Sequence, residues 1–249
     1  MLPVISTGSK EIDSLFGGGG IRTGMITDIF GESGSGKSQL CFTLAANCAK
    51  DANRILYIDT TGTFRPERIV EISRSSLTLE KITYIRAFST MDQLNAVLKI
   101  GKIRPRLVII DTLTSLFSAE YSGSELHRAI MKYLHGLALL AITSMTAIVV
   151  TNMVRTAPPI TSIDQASSKI AEGAIPWHQR EFLSSSVSIY SHMKMKFEIV
   201  DSAKSLFQAS LMQPRGKRRV PFYITPAGIS DRNDDFIDQQ WIASTDEGS

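Results

Sequence analysis

The sequence is poor in the residue types that mark a metal centre, a disulfide scaffold or a membrane protein. Among 249 residues there are two cysteines and four histidines, and their positions give none of the close Cys/His spacings that hold zinc. Cys41 and Cys48 sit on one face of any helix that carries both, two turns apart and too far to bridge. A reduced, cytoplasmic compartment fits. No apolar run approaches the ~18 residues of a membrane span. Met1–Ser9 lacks the charged start and apolar stretch of a signal peptide, so neither a membrane partner nor export is expected. Charge of one sign is scarce too: 27 Lys and Arg stand against 24 Asp and Glu, a net charge of +3. That balance permits nucleic-acid binding without arguing for it.

What is present reads as one α/β domain with a well-buried core: 43% of residues are hydrophobic and 20% charged. Apolar runs alternate with helix-period segments, the pattern of a mostly parallel sheet covered on both faces. Strands are predicted at Met25–Phe30, Arg54–Asp59, Ile82–Arg86, Leu107–Asp111 and Thr146–Thr151. Helices are predicted at Lys37–Ala49, Pro66–Arg74, Met91–Ile100 and Glu125–Thr143. After Pro158 a polar, irregular stretch runs to about His178. Beyond it Ser186–Ser191, Leu206–Met212 and Val220–Thr225 alternate like antiparallel strands. The core is placed at residues 1–231. Residues 232–249 form an acidic tail that is expected to be flexible, in a region with Asp231, Asp234, Asp235, Asp238, Asp246 and Glu247.

The sharpest motif is Gly31-Glu32-Ser33-Gly34-Ser35-Gly36-Lys37-Ser38, which fits the phosphate-binding loop GxxxxGK[ST] between a predicted strand and a predicted helix. Glycines let backbone N–H groups curl around a phosphate, and the helix N-terminus adds its positive dipole. Lys37 is suited to neutralise β/γ oxygens and the Ser38 hydroxyl to ligate Mg²⁺. Gln39 follows in the first helical turn and joins the candidate nucleotide contacts. Leu107-Val108-Ile109-Ile110-Asp111 supplies the companion feature, an apolar strand ending in a carboxylate. Ligands sit beyond the C-terminal ends of parallel strands, so Asp111 is placed to hold Mg²⁺ directly or through water. The expected cofactors are ATP and Mg²⁺.

Several segments together resemble the RecA-like P-loop ATPase core of archaeal and eukaryotic recombinases. They are Ile5–Asp13, Tyr57-Ile58-Asp59-Thr60-Thr61-Gly62-Thr63-Phe64-Arg65-Pro66-Glu67-Arg68, Val108–Ser115, Ala119–Gly123 and Val149-Val150-Thr151-Asn152, in order over nearly the whole chain. The resemblance implies ATP-dependent action on DNA in recombination and repair, and places Arg68 against the adenine, where a guanidinium stacks. The chain also departs from the pattern. Where the family carries the glutamate that orients the attacking water, this chain has Thr61, and a hydroxyl is no general base near neutral pH. The family's γ-phosphate-sensing glutamine is Met153, and its aspartate that caps ATP from a neighbouring subunit corresponds roughly to Met212. The stretch Ser118–Glu125 lacks the arginines of the family's first DNA loop. The helix-hairpin-helix domain and polymerisation linker have no counterpart in this sequence. The losses point to an accessory paralog similar to archaeal RadB proteins, with slow or absent turnover. Glu32 is a weaker candidate for a substitute base.

Residues Val154–His178 correspond to the family's second DNA loop, and Arg155, Lys169 and Arg180 offer phosphate contacts beside Trp177. Arg215, Lys217, Arg218 and Arg219 admit three readings: contacts to DNA phosphates, contact in trans to a neighbour's ATP, or a solvated hairpin turn. The expected partners are single-stranded or branched DNA and recombinase or other repair proteins, with a homo-oligomer left open. Two other functions compete: an active DNA-dependent ATPase recombinase with its base elsewhere, and a KaiC-like regulatory ATPase that needs no DNA. Thr60–Arg68 and Ala119–Gly123 favour the recombinase branch over the latter.

Overall fold

The computed structural model describes residues 3–51, 53–157, 178–214 and 218–232. A short strand pair, β1 (Val4–Ile5) and β2 (Ile21–Arg22), flanks helix α1 (Lys10–Leu15). Strands and helices then alternate as the apolar pattern predicts: β3 (Ile26–Gly31), α2 (Lys37–Lys50), β4 (Ile55–Asp59), α3 (Pro66–Ser73) and β5 (Ile82–Arg86). They are followed by α4 (Thr90–Leu98), α5 (Ile100–Ile103), β6 (Leu107–Asp111), α6 (Ser115–Glu120), α7 (Gly123–Ser144) and β7 (Ala147–Ala157). The last part carries β8 (His178–Glu181), α8 (Ser184–Tyr190), β9 (Met193–Asp201), β10 (Leu206–Gln213), β11 (Arg219–Thr225) and β12 (Gly228–Ser230).

The sheet order is β12-β11-β10-β9-β3-β7-β6-β4-β5, with β8 paired antiparallel to the end of β7. From β9 to β5 all neighbours are parallel, and β10 to β12 continue beyond β9 as an antiparallel meander. This is the mostly parallel sheet that the pattern implied, in the RecA-like arrangement that the resemblance implied. Every residue of β3, β4 and β6 is buried, because helices cover both faces. Period-two alternation sorts the strands: Ile29, Tyr57, Ile109 and Val149 meet α2 and α3 on one face. Leu56, Ile58, Val108 and Val150 meet α4 and α7 on the other.

Ser186–Ser191, expected as a strand, is instead the greater part of helix α8, and the strand begins at Met193. Ser, Val, Ser, Ile, Tyr alternates on paper, but Leu183, Val187 and Tyr190 recur at helical spacing and all pack into the core beneath α7. Strand β9 is missing from the expected strands although Met193, Met195 and Phe197 alternate with Lys194 and Lys196; Lys194 is buried, so polarity and exposure part company there. The expected helix Met91–Ile100 breaks at Lys99, and β7 runs six residues past the predicted end at Thr151 because β8 extends its ladder. The irregular stretch around 158–177 and the acidic tail beyond Arg232 lie outside the described residues.

One interior feature is ionic. Lys194 of β9 contacts Glu181 of β8 and stands 3.5 Å from the Asp28 carboxylate of β3, and all three side chains are buried. Burial pushes the Asp28 carboxyl well up, and the neighbouring Glu181 pushes it further, against the opposing pull of Lys194. A folded-state pKa above the unfolded one means that the folded chain binds the extra proton, so stability is full at low pH and declines as pH rises through the raised value. We expect the urea midpoint to fall as pH rises from the ordinary carboxylate range through the raised value, and Asp28→Asn to remove that decline. A midpoint with the same pH dependence in both proteins would refute a proton held on Asp28 in the folded chain.

Candidate nucleotide-binding site

Because the central strands are parallel, their C-terminal ends share one rim. The loop after β3, the turn after β4, Asp111 at the end of β6 and Met153 in β7 all open onto it, with Gly31 level with Met153 and Asp59 level with Asp111. They enclose a cleft of about 600 Å³ whose wall includes Gly36, Lys37, Ser38, Thr61, Asp111 and Met153.

The loop owes its shape to its glycines, Gly34 among them at φ +81°. A Cβ on Gly31 would stand 2.2 Å from the Phe197 carbonyl oxygen of β9, so no other residue fits where the loop leaves the strand. Gly36 caps α2 at φ +94°, a left-handed conformation that side chains disfavour. Lys37, the next residue, folds its ammonium back onto the carbonyl oxygens of Gly31 at 2.8 Å and Glu32 at 2.6 Å. Burial lowers the Lys37 pKa, and Asp111 opposes that shift. Glu32 thus enters the site through its backbone.

Asp111 is the hub. Its Oδ2 accepts from the Ser38 hydroxyl at 2.7 Å and the Tyr57 phenol at 3.1 Å, and its Oδ1 from the Thr151 hydroxyl at 2.5 Å. Burial raises the Tyr57 phenol well above its ordinary pKa, and Asp111 adds to the rise, so the phenol stays a donor. The spacing of Ser38 and Asp111 in one hydrogen bond gives two oxygens of the kind that hold Mg²⁺. Tyr57 and Thr151 were missed from sequence. Nothing in either residue's neighbourhood signals the contact, which depends on strand order.

The turn after β4 is organised by Asp59, whose carboxylate collects the backbone N–H groups of Thr61 at 2.9 Å, Gly62 at 2.7 Å and Phe64 at 3.2 Å. Burial pushes this carboxyl up, but those backbone donors outweigh it and hold its pKa below the usual value. Thr61 faces the cleft with its hydroxyl shared with that of Thr63 at 2.9 Å.

Arg68 stands behind Gln39, whose Oε1 accepts from its Nε at 2.9 Å. Its guanidinium is otherwise spent on the carbonyls of Thr225 and Pro226 at the β11–β12 turn and on Glu71. Met212 lies half exposed on β10, two strands from β3 and away from the cleft.

The basic candidates divide. Arg155 and Arg180 face each other across the β7–β8 ladder, both exposed, with the Arg155 guanidinium 3.6 Å from the Phe182 ring centre. Arg218 pairs with Glu11 at 3.1 Å, and Arg219 opens β11 exposed. Lys169, Trp177, Arg215 and Lys217 lie outside the described residues.

With this geometry in view, a search of family models matches the Rad51 family over residues 2–175. The chain belongs to the Rad51 family. Among curated relatives, the DNA repair protein RAD51 of Mycosarcoma maydis is 35% identical over 193 residues, covering 69% of this chain and 55% of that protein. The DNA repair and recombination protein RadA of Ignicoccus hospitalis is 37% identical over 180 residues, covering 63% and 55%. The DNA repair protein RAD51 of Saccharomyces cerevisiae is 39% identical over 171 residues, covering 60% and 42%. The chain spans about half the length of the curated relatives it matches. The family match covers the phosphate loop, Thr61, Arg68, Asp111 and Met153, and stops before β8.

Arg68 joins α2, α3 and the β11–β12 turn through charge-assisted hydrogen bonds. Such bonds are worth ~1.5–3 kcal/mol, so Arg68→Ala is expected to lower stability by about that much in urea denaturation. Arg68→Lys is expected to recover only part, since one ammonium cannot span Gln39, Thr225 and Pro226 together. An unshifted midpoint in Arg68→Ala would show that the contacts carry no net stability.

Proposed function

We propose that this Rad51-family chain binds Mg·ATP in the cleft and serves homologous recombination and DNA repair as an accessory factor with slow or absent hydrolysis. Gly31–Ser38 would cradle the phosphates, with Lys37 released from its two carbonyls to the β/γ oxygens, and Gln39 and Arg68 would flank the base. Ser38 and Asp111 would hold the metal, which supplies charge neutralisation at the phosphates. The loop curvature enforced at Gly31 and the Ser38–Asp111 oxygen pair fit that cargo.

The observation that carries slow turnover is the chemistry around Thr61. It shares the cleft with Lys37 and Asp111 but offers only a hydroxyl, already paired with Thr63. The nearest carboxylate to that hydroxyl is Asp59, 3.5 Å away, and its backbone donors and depressed pKa leave it a poor proton acceptor. Met153 brings no polar group to sense a γ-phosphate. DNA, single-stranded or branched, would meet the arginine pair at β7–β8, where two like charges side by side favour an anion between them. Arg218 and Arg219 would add to this contact or reach a neighbouring subunit's ATP.

Nucleotide affinity and turnover each check the reading. Lys37→Ala removes a charge-assisted contact worth ~1.5–3 kcal/mol, so ATP affinity is expected to fall roughly tenfold to hundredfold. Asp111→Ala is expected to weaken Mg·ATP more than metal-free nucleotide, and equal affinity in wild type and Lys37→Ala would remove the phosphate-loop assignment. ATP hydrolysis with and without single-stranded DNA, measured beside affinity on one preparation, tests turnover. Thr61→Glu restores a carboxylate whose assistance is typically worth ~10²–10⁴-fold; it is expected to raise hydrolysis by part of that, with little change in affinity. Brisk DNA-stimulated hydrolysis by the wild type, indifferent to Thr61, would replace this reading with an active recombinase.

A further inference from the structure

The end of the domain opposite the cleft gathers positive charge, separate from both the phosphate loop and the β7–β8 arginines. Strands β5, β4 and β6 are parallel, with Ile82, Ile55 and Leu107 level. The residues just before them, Lys81, Arg54 and Arg106, therefore line up along the N-terminal edge of the sheet. Helix α5 leads into β6 and adds Lys102 and its cap residue Arg104. Arg54, Lys102 and Arg104 are exposed. Among the described residues none of the five forms an ion pair, and the Arg106 Nε is buried with no hydrogen-bond partner. Asp51 and Glu80, the carboxylates nearest them in the chain, are exposed and pair with none of them. Like charges gathered in this way repel one another, and a polyanion laid over them relieves the repulsion.

The described chain finishes at this same end. Strand β12 runs opposite to β3 and so away from the cleft rim. Asp231, which follows it, accepts from the backbone N–H groups of Lys10 at 2.8 Å and Glu11 at 3.3 Å. Close by, the Ser6 carbonyl accepts from the Asn47 amide in the last turn of α2 at 3.1 Å. From there Asn53 donates to the Cys48 carbonyl at 3.3 Å, and the Arg106 N–H donates to the Arg54 carbonyl at 2.8 Å. A continuous run of neighbours thus joins Asp231 to the basic row. Residues 233–249 hold five carboxylates, Asp234, Asp235, Asp238, Asp246 and Glu247, and no Lys or Arg. Between Arg232 and Glu247 an extended chain spans up to ~50 Å.

We propose that the acidic stretch Asp234–Glu247 is the occupant of this basic face in its own chain. Its carboxylates meet the five cations, and Phe236 and Trp241 offer ring faces to the exposed guanidinium groups. A tethered segment meets the face at a high effective concentration, so weak and mainly electrostatic contacts suffice. Docked there, the stretch shields the face from other polyanions. The arrangement is independent of what fills the cleft.

The chain has two tryptophans, Trp177 and Trp241, so the full chain carrying Trp177→Phe reports from the acidic stretch alone. Trp241 emission and its quenching by acrylamide are followed from ~0.1 M to ~1 M NaCl, over which the Debye length falls from ~10 Å to ~3 Å. Trp241 is expected to be shielded at low salt, with a red shift and a larger quenching constant as salt rises. Arg54→Gln combined with Arg104→Gln should give the high-salt values throughout; both positions are exposed, so the fold is spared. Arg54→Lys combined with Arg104→Lys should keep most of the salt response, while Asp234→Asn with Asp235→Asn and Asp238→Asn should lose it. A Trp241 equally accessible at both salts overturns the docking. So does salt-sensitive shielding that the paired Gln substitutions leave unchanged. Shielding that disappears on dilution overturns docking within one chain and gives the face to a second copy. Trp241 exposed at every salt, with affinity for a single-stranded oligonucleotide falling in the paired Gln variant, overturns it in favour of nucleic acid.

Discussion

A carboxylate withdrawn from water must be met by donors, and Asp111 is met by three hydroxyls from three separate elements. Ser38 arrives on the first turn of α2, Tyr57 on β4 and Thr151 on β7. Meeting all three at once restricts the topology severely. Strand β6 must lie between β4 and β7 with Asp111 level with Asp59, and α2 must begin directly over the end of β6. The short loop that delivers α2 there can do so only with glycine at positions 31, 34 and 36. The same constraint keeps Lys37 near Asp111, which opposes the loss of its charge to burial.

Much of this fold was legible in the sequence because its strands are fully buried and its helices amphipathic. Such segments announce themselves: Arg54–Asp59 and Leu107–Asp111 read as strands without any knowledge of their neighbours. Legibility failed where burial and polarity part company. Lys194 is an interior residue with a surface residue's chemistry, and its strand was passed over. Serines on α8 alternate with apolar residues as a strand's would, and only the presence of α7 overhead decides that Val187 and Tyr190 share a side.

The site divides in the same manner. Residues fixed by a local motif, from Gly31 to Ser38, together with Asp111, Thr61 and Met153, do gather around one cleft. Contacts that depend on which strands become neighbours had no local signature. Tyr57 and Thr151 reach Asp111 from positions 54 and 40 residues away in the chain, and Glu181 meets Asn152 only because β8 folds back on β7. Arg68 shows a third case. Its identity was noticed for the chemistry of a guanidinium over a base, while the structure also makes it a brace for the β11–β12 turn.

The contact between Gly31 and the Phe197 carbonyl has a consequence for how this chain can change over time. The opening of the phosphate loop and the register of β9 are not independent heritable features, because the missing side chain of one is filled by the backbone of the other. A one-residue slip of β9 would turn each of its side chains to the opposite face, sending Lys194 to the side where Met195 and Phe197 pack the core and Met193 to the side of the ionic group. It would also move the peptide group that abuts Gly31. Insertions and deletions within β9 are thus barred from two directions, by the loop at one end and the ionic group at the other. Length variation in the C-terminal half is left to its turns.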